Sequence, residues 1–142
     1  MANVVCEISL TQAPLVARTS DVAAAGAVVD FWGVVRLIED GREIEGIDYD
    51  AHLEMAEHQL KRIAEQAAER FGLELVIVHH RIGFIAVGEA SLFLRVAGSH
   101  RSESFWASQW IVDELKKKVP IWKRPRFKLA NCHASRTQAA PV

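Results

Sequence analysis

The longest regular pattern of apolar positions lies in the middle of the chain and predicts a helix from Leu53 to about Phe71. Apolar side chains recur there at spacings of three and four residues, which places them on one face of a helix. Those positions are Met55, Ala56, Leu60, Ile63, Ala64, Ala67 and Phe71. Gly72 follows directly and can adopt the left-handed conformation that ends a helix.

Four stretches have the pattern of β-strands. Residues 4–10, VVCEISL, alternate between apolar and polar positions, and residues 27–37 are rich in β-branched and aromatic residues. Gly33 lies within the second stretch and indicates a bulge or a close approach of two backbones. Residues 73–80 and 90–99 predict two further strands, joined through RIGFIAVGE, in which Gly83 and Gly88 permit turns.

Turn and helix signals complete the pattern. Asp40-Gly41 is a hairpin turn signal, and residues 44–50 then read as the partner strand. The alanine-rich residues 12–25 predict a short helix before Gly26. A second long helix is predicted from about Ser102 to Lys118, with one face traced by Phe105, Ser108, Val112 and Leu115.

Pro120 ends this second helix, because proline cannot donate to the helix ladder and disfavours helix at the residue before it. Helices and strands interleave along the chain, so the predicted fold class is α/β or α+β.

Length and composition favour one soluble domain. The chain has 142 residues, half of them hydrophobic and a quarter charged, and no apolar run approaches the ~18 to 20 residues of a membrane span. The first residues lack a basic start and carry Glu7, unlike a signal peptide. Cys6 and Cys132 are far apart and lack CxxC spacing, which predicts reduced thiols in a cytoplasmic protein and no zinc site.

The charge of the chain is lopsided. Residues 1–115 contain nine Lys and Arg and all eighteen Asp and Glu, a net charge of −9, whereas residues 116–142 contain eight Lys and Arg and no acid. Such an asymmetry suggests an anionic ligand or partner near the C-terminal region.

Two lysines bracket the sequence Pro120-Ile121-Trp122. Lys116 falls in the last turn of the second helix, where a cation meets the helix dipole favourably. A buried Trp122 would hold the backbone of Lys123, and a lysine beside apolar surface and other cations is available as a nucleophile or proton carrier. The alternative is that both lysines, like Lys117 and Lys118, are solvated charges.

Further cations are candidates for binding an anion. His100 and Arg101 lie where a strand ends and a helix begins, and backbone N–H groups at a helix start attract anions. They can equally cap a loop. Arg36 closes a strand, and arginines at strand ends are usually surface residues. His79 and His80 are adjacent on a strand and point to opposite faces, which excludes a shared metal site.

Taken in order, several stretches resemble the catalytic (large) subunit of molybdopterin synthase. The matching segments are FWGVVR (31–36), YDAHLEMA (49–56), HRIGFIAVGE (80–89), SHRSESF (99–105) and DELKKKVPIWK (113–123). The pattern SHRxxxF followed by DxLKxxxPIWK is highly specific. The segments cover most of residues 26–124.

The resemblance implies a fold and a reaction. The fold is an α/β hammerhead with a small additional antiparallel β subdomain, and the subunit forms a homodimer within a heterotetramer. Its partner is a small ubiquitin-like sulfur carrier with a Gly-Gly C-terminus, activated as a thiocarboxylate. The enzyme, a sulfurtransferase, moves sulfur onto cyclic pyranopterin monophosphate to make the molybdopterin dithiolene of the molybdenum cofactor. The resemblance implies no cofactor and no metal for this step.

Position by position, the resemblance implies roles for eight residues. The catalytic lysines fall on Lys116 and Lys123. The substrate-binding positions fall on Val34, Val35, Arg36, His100, Arg101 and Arg124. Pro125 stands where the family usually has an acidic residue, and the residues after it differ from the family pattern. We therefore expect one domain over residues 1–128 and a divergent C-terminal tail, residues 129–142, that can be flexible.

Two alternative functions are open. One is a paralogue that keeps the scaffold and docks a ubiquitin-like protein without catalysis. The other is a module that binds nucleic acid or another polyanion through the basic C-terminal segment, with Trp122 and Phe127 stacking on single-stranded bases. The acidic character of the first 115 residues disfavours a nucleic-acid surface.

Overall fold

The computed structural model describes residues 4–17 and 24–129. Within these residues the chain forms eight strands and two helices. In chain order they are β1 (Val5–Thr11), β2 (Ala27–Val34), β3 (Ile38–Glu39), β4 (Arg42–Ala51), α1 (Leu53–Phe71), β5 (Leu73–Arg81), β6 (Gly83–Ala86), β7 (Ala90–Gly98), α2 (Arg101–Lys118) and β8 (Ile121–Phe127). The predicted mixed α/β fold is confirmed.

The larger sheet has the strand order β1-β5-β7-β2, with β1 and β5 parallel and the other pairs antiparallel. Both helices pack on one face of it. The core between helices and sheet contains Leu60 and Ile63 of α1, Ile111 of α2 and Val76 and Leu94 of the sheet, all almost fully buried. This layer explains the apolar spacing of α1, which begins and ends where the sequence predicted, with Gly72 left-handed at φ 65°.

A smaller antiparallel sheet is built around β4, which pairs with β3 and β6 and also with β8. The predicted hairpin turn is confirmed, because Asp40 and Gly41 both have positive φ, as a tight two-residue hairpin turn requires. Strands β6 and β8 were not predicted. Pairing of β8 along β4, with Lys123 opposite Tyr49, fixes the chain after Pro120.

Three predictions need correction. Residues 12–17 are not helical; Pro14 lies among them, and the hydroxyl of Thr11 accepts a hydrogen bond from the Ala13 backbone at 3.0 Å. Residues 18–23 of that predicted helix lie outside the described residues. The predicted C-terminal tail, residues 129–142, also lies outside them from residue 130 onward. The buried face of α2 is also different: Ser104, Ala107, Ile111 and Leu115 are buried, whereas Phe105 is exposed. Burial of Trp122, on which the predicted restraint of Lys123 depends, is not observed: Trp122 is 56% exposed.

The bulge expected at Gly33 is confirmed. The pairing of β2 with β7 shifts register between Gly33 and Val34. A side chain at Gly33 would also meet the Leu92 Cβ at 3.3 Å, so the two strands approach closely. Beyond the bulge, the Val35 backbone N–H donates to the Glu89 carbonyl at 3.0 Å, which anchors the segment that leads to Arg36.

Candidate functional site

A pocket of about 580 Å³ lies between the two sheets and the end of α2. Its walls come from the bulged end of β2, the β3–β4 hairpin, the last turns of α2 and the start of β8. Apolar lining is provided by Phe31, Ile47, Leu115 and Ile121. A pocket of this size is suited to a small molecule.

Three of the sequence-predicted cations line this pocket together: Arg36, Lys116 and Lys123. We call them the pocket cations. Each comes from a different element, since Arg36 follows the β2 bulge, Lys116 lies in the last turn of α2 and Lys123 lies on β8. Val34 and Val35 line the same pocket. The fold therefore brings five of the eight predicted site residues into one cavity.

Lys123 is held by a carboxylate that the sequence analysis did not single out. Its Nζ lies 3.3 Å from Oε2 of Glu39 on β3, and the Glu39 side chain is 13% exposed. We had expected apolar and cationic neighbours for Lys123. Glu39 also lines the pocket, and it is the one acid among the described lining residues. The pocket thus has a cationic wall with one negative charge set against Lys123.

Lys116 and its two neighbours in the sequence differ in their contacts. Lys117 and Lys118 turn to Glu114, at Nζ–O distances of 3.6 and 2.7 Å, and the hydrogen bond from Lys118 lowers the pKa of Glu114. For Lys116, the structure gives no ion-pair partner among residues 4–17 and 24–129, so its ammonium group is available to a ligand. This matches the expectation that Lys117 and Lys118 are surface charges.

The basic C-terminal segment is largely neutralised by acids from the β3–β4 hairpin. Besides Lys123 and Glu39, Arg126 pairs with Asp48 at 3.0 Å and Lys128 with Glu43 at 3.2 Å. These contacts follow from the antiparallel pairing of β8 with β4. Part of the positive charge of the C-terminal segment is therefore neutralised by ion pairs with acidic residues on neighbouring strands of the same chain.

The other three predicted site residues lie elsewhere. Within one chain, His100 and Arg101 stand at the exposed start of α2, where His100 is the N-cap residue without a side-chain capping bond. Lys116 is fifteen residues beyond Arg101, which places it about 22 Å away along the helix axis. Arg124 follows Lys123 on β8 and points to the opposite face of the strand.

Sequence reasoning missed four polar residues that line the pocket: Glu39, Tyr49, His80 and Ser91. The ring of His80 contacts the ring of Tyr49 edge-on, with centroids 5.3 Å apart. A signal for His80 was present, because strand alternation separates it from His79 and places it on the helix-covered face with Val76 and Val78. Glu39 carried no comparable signal, since its contact with Lys123 joins residues 84 positions apart.

No group of three or more His, Cys, Asp or Glu residues in the described ranges could hold a metal ion. None of the helices described is both long and apolar enough to cross a membrane. Cys6 is a free thiol, half-buried on β1, and burial raises its pKa. Cys132 lies outside the described residues.

Comparison with known proteins gives a consistent family. Residues 6–118 match the family model described as MoaE protein. The molybdopterin synthase catalytic subunit of Pyrococcus abyssi is 43% identical over 102 residues, covering 72% of this chain and 69% of that protein. The human molybdopterin synthase catalytic subunit is 35% identical over 99 residues, covering 70% of this chain and 53% of that protein.

The solved structures agree with the sequence comparisons. The crystal structure of molybdopterin synthase from Staphylococcus aureus superposes with a TM-score of 0.77 at 28% identity, covering 84% of this chain and 90% of that one. Strand β8, which carries Lys123, lies beyond the residues matched by the family model but within the two-sheet fold described above. The chain belongs to the MoaE protein family of molybdopterin synthase catalytic subunits.

Proposed function

We propose that this chain transfers sulfur from the C-terminal thiocarboxylate of a small ubiquitin-like partner onto cyclic pyranopterin monophosphate, which forms the molybdopterin dithiolene. The observation that carries the proposal is the convergence of Arg36, Lys116 and Lys123 in one pocket of small-molecule size. Membership of the family of molybdopterin synthase catalytic subunits supports it. In this proposal the protein acts in the cytoplasm as a sulfurtransferase and needs no cofactor.

The pocket cations suit a substrate that carries a phosphate. Arg36 can bind phosphate oxygens in a bidentate manner, and an ammonium group adds a point charge. All three pocket cations are exposed, and a substrate that fills the apolar pocket displaces water from them; the contacts are then stronger, because charge is screened less where water is excluded. Val34 and Val35 shape the wall against which the flat ring system lies.

The nucleophile in this proposal is the partner's terminal sulfur, so the chain needs no nucleophile of its own. Lys116 carries protons or stabilises developing negative charge. Lys123 orients the thiocarboxylate and the substrate, and Glu39 restrains its amine at 3.3 Å. An amine that attacks covalently is the alternative role for Lys123.

His100 and Arg101 join the site only if a second copy of the chain supplies them. Neither residue lines the pocket of its own copy, and Arg101 lies about 22 Å from Lys116 along the axis of α2. We therefore propose a homodimer in which each pocket receives His100 and Arg101 from the neighbouring copy. Arg124, on the outer face of β8, then contacts the substrate or the partner's C-terminus from outside the pocket.

A small partner subunit completes the proposed heterotetramer. A solved Helicobacter pylori structure that shares the fold, at 24% identity and a TM-score of 0.61, is a complex of subunits 1 and 2 of molybdopterin-converting factor. The thiocarboxylate and the Gly-Gly C-terminus belong to our proposal for the partner of this chain. The partner's extended C-terminus must enter the pocket to reach Lys123.

The experiment mixes the purified protein with a thiocarboxylated sulfur-carrier protein and cyclic pyranopterin monophosphate. Dithiolene product is then assayed after conversion to a fluorescent derivative. We expect product only when all three components are present. A protein that binds the partner but forms no product would instead be a non-catalytic paralogue.

Binding of nucleic acid through the basic segment is the weaker alternative. Trp122 is exposed, as a stacking platform requires, but Arg126 and Lys128 are occupied by Asp48 and Glu43. A salt titration against single-stranded oligonucleotides tests it, since affinity from phosphate contacts falls steeply with salt. We expect no salt-dependent binding at physiological ionic strength.

A further inference from the structure

His80 is a buried histidine with one ring nitrogen already committed. It lies on β5, is 5% exposed, and its Nδ1 is 2.8 Å from the backbone carbonyl oxygen of Arg81. A carbonyl oxygen can only accept a hydrogen bond, so Nδ1 carries the proton and donates it. In the neutral ring, Nε2 is then left with a lone pair and can only accept.

The surroundings keep this ring neutral and oriented. Burial lowers the pKa of His80, so the imidazole remains uncharged near neutral pH. The ring of Tyr49 contacts it edge-on at 5.3 Å, and β5 is paired on both sides, by β1 and β7. His80 is therefore a rigid acceptor rather than a mobile cation.

Nε2 of His80 has no hydrogen-bond partner among the residues that the structure describes, although the side chain is buried. Buried polar atoms in folded proteins nearly always have a partner. His80 lines the same pocket as Lys116 and Lys123. The missing partner is therefore expected to come from what fills the pocket.

We propose that His80 is a specificity-determining residue whose Nε2 accepts a hydrogen bond from an N–H group of the substrate's pterin ring. This inference rests on the proposed function, which supplies a pterin as the substrate. Two kinds of contact then recognise the substrate. The pocket cations bind its phosphate, and the neutral Nε2 of His80 accepts a hydrogen bond from an N–H group of its heterocycle. A pocket with cations alone could not distinguish a pterin from another phosphate ester.

Three variants test the role of His80. His80→Phe keeps a ring of similar volume but removes the acceptor, and His80→Gln restores an acceptor through its amide oxygen. His79→Phe is the matched control: His79 is the neighbour on the same strand, points to the opposite face and pairs with Glu7 at 2.8 Å outside the pocket. Thermal unfolding checks that all three variants fold.

Two probes separate the two kinds of contact. 6-Hydroxymethylpterin, which lacks a phosphate, is titrated by its fluorescence, and inorganic phosphate is titrated by calorimetry. We expect His80→Phe to weaken pterin binding about tenfold or more and to leave phosphate binding unchanged. His80→Gln should recover part of the pterin affinity, and His79→Phe should bind both probes like the wild type.

The outcomes distinguish this inference from the proposed function. If the wild type converts cyclic pyranopterin monophosphate and His80→Phe does so with the same KM, the role of His80 is overturned and the proposed function stands. Absence of dithiolene product from the wild type would overturn the function. In that case the pterin titration still decides: equal affinities of the wild type and His80→Phe would show that Nε2 is satisfied by water alone.

Discussion

The two ends of helix α2 both carry cations, but only one end lies in a pocket. At the C-terminal end, Lys116 shares a cavity with Arg36 and Lys123, enclosed by strands from both sheets. At the N-terminal end, His100 and Arg101 are exposed, and no wall from the described part of the same chain covers them. A cation in a pocket can contact a ligand together with the other pocket residues. Cations at an exposed helix start can do this only if a second protein surface packs against them.

The largest expected effect is at the enclosed end. If the proposed function holds, Lys116→Ala and Lys123→Ala should each lower the rate of dithiolene formation by at least about a hundredfold, because each removes a cation to which the proposal assigns charge stabilisation, proton transfer or orientation of the substrate. Thermal unfolding should be nearly unchanged, since both side chains are exposed to the cavity rather than packed in the core.

Lys117→Ala is the matched control for these lysines. Lys117 adjoins Lys116 in the sequence but pairs with Glu114 outside the pocket. Its rate should remain within about twofold of the wild type. Near-normal turnover of both Lys116→Ala and Lys123→Ala would defeat the assignment of these residues.

Mixed dimers of two inactive variants test whether the exposed N-terminal end of α2 completes the pocket of the neighbouring copy. Arg101→Ala and Lys116→Ala homodimers should both be inactive, but a mixed dimer purified through two different tags should regain about half the wild-type turnover. If neighbouring copies share each site, one pocket of the mixed dimer holds both defects and the other holds none. A mixed dimer as inactive as its parents would show that Arg101 acts within its own copy, which would overturn the sharing of sites between copies.

A smaller effect is expected from the acid within the pocket. Glu39→Gln removes the one negative charge among the described lining residues, so KM for the phosphate-bearing substrate should fall about two- to fivefold. The maximal rate should also fall, because Lys123 loses its restraint. Steady-state kinetics separate the two constants.

Glu43→Gln serves as the control for Glu39. It lies on the same hairpin, but its carboxylate pairs with Lys128 outside the pocket. Its kinetic constants should match those of the wild type. A fall in KM in both variants would indicate a general loss of surface charge rather than an effect inside the pocket.

The smallest effect concerns stability against pH. The pKa of His80 is lowered in the folded protein by burial, whereas an unfolded histidine has a pKa near ~6.5. As the pH falls through this value, the unfolded chain binds a proton that the folded chain does not, so the free energy of unfolding decreases. The decrease continues until the lowered pKa of the folded state is reached.

Chemical denaturation at pH 7.5, 6.5 and 5.5 measures this dependence. His80→Phe should show a flatter decline than the wild type, and His79→Phe should keep the contribution of His80. Arg36, Glu39, Lys116 and Lys123 share the pocket with His80 and are the same in all three proteins. An identical decline in the wild type and His80→Phe would contradict the burial of a neutral ring.

The local sequence determined the elements whose signals are local. The spacing of apolar residues and Gly72 fixed α1, and Asp40-Gly41 fixed the hairpin, because the conformations involved depend on neighbouring residues. The buried face of α2 was mispredicted, because the prediction assigned the aromatic Phe105 to the core. Phe105 is exposed, whereas Ser104 is buried and its hydroxyl donates a hydrogen bond to the Ala27 carbonyl at 3.0 Å.

Only the tertiary structure decided β8 and the composition of the pocket. Strand β8 contains Pro125, which weakens a strand signal because proline cannot donate to the ladder, and it becomes a strand through pairing with β4. That pairing brings Lys123 to Glu39 across 84 residues of sequence and places it in the same pocket as Lys116 and His80. The motif series indicated which lysines to examine, but contacts between distant residues determined that they share a cavity while Arg101 of the same chain does not.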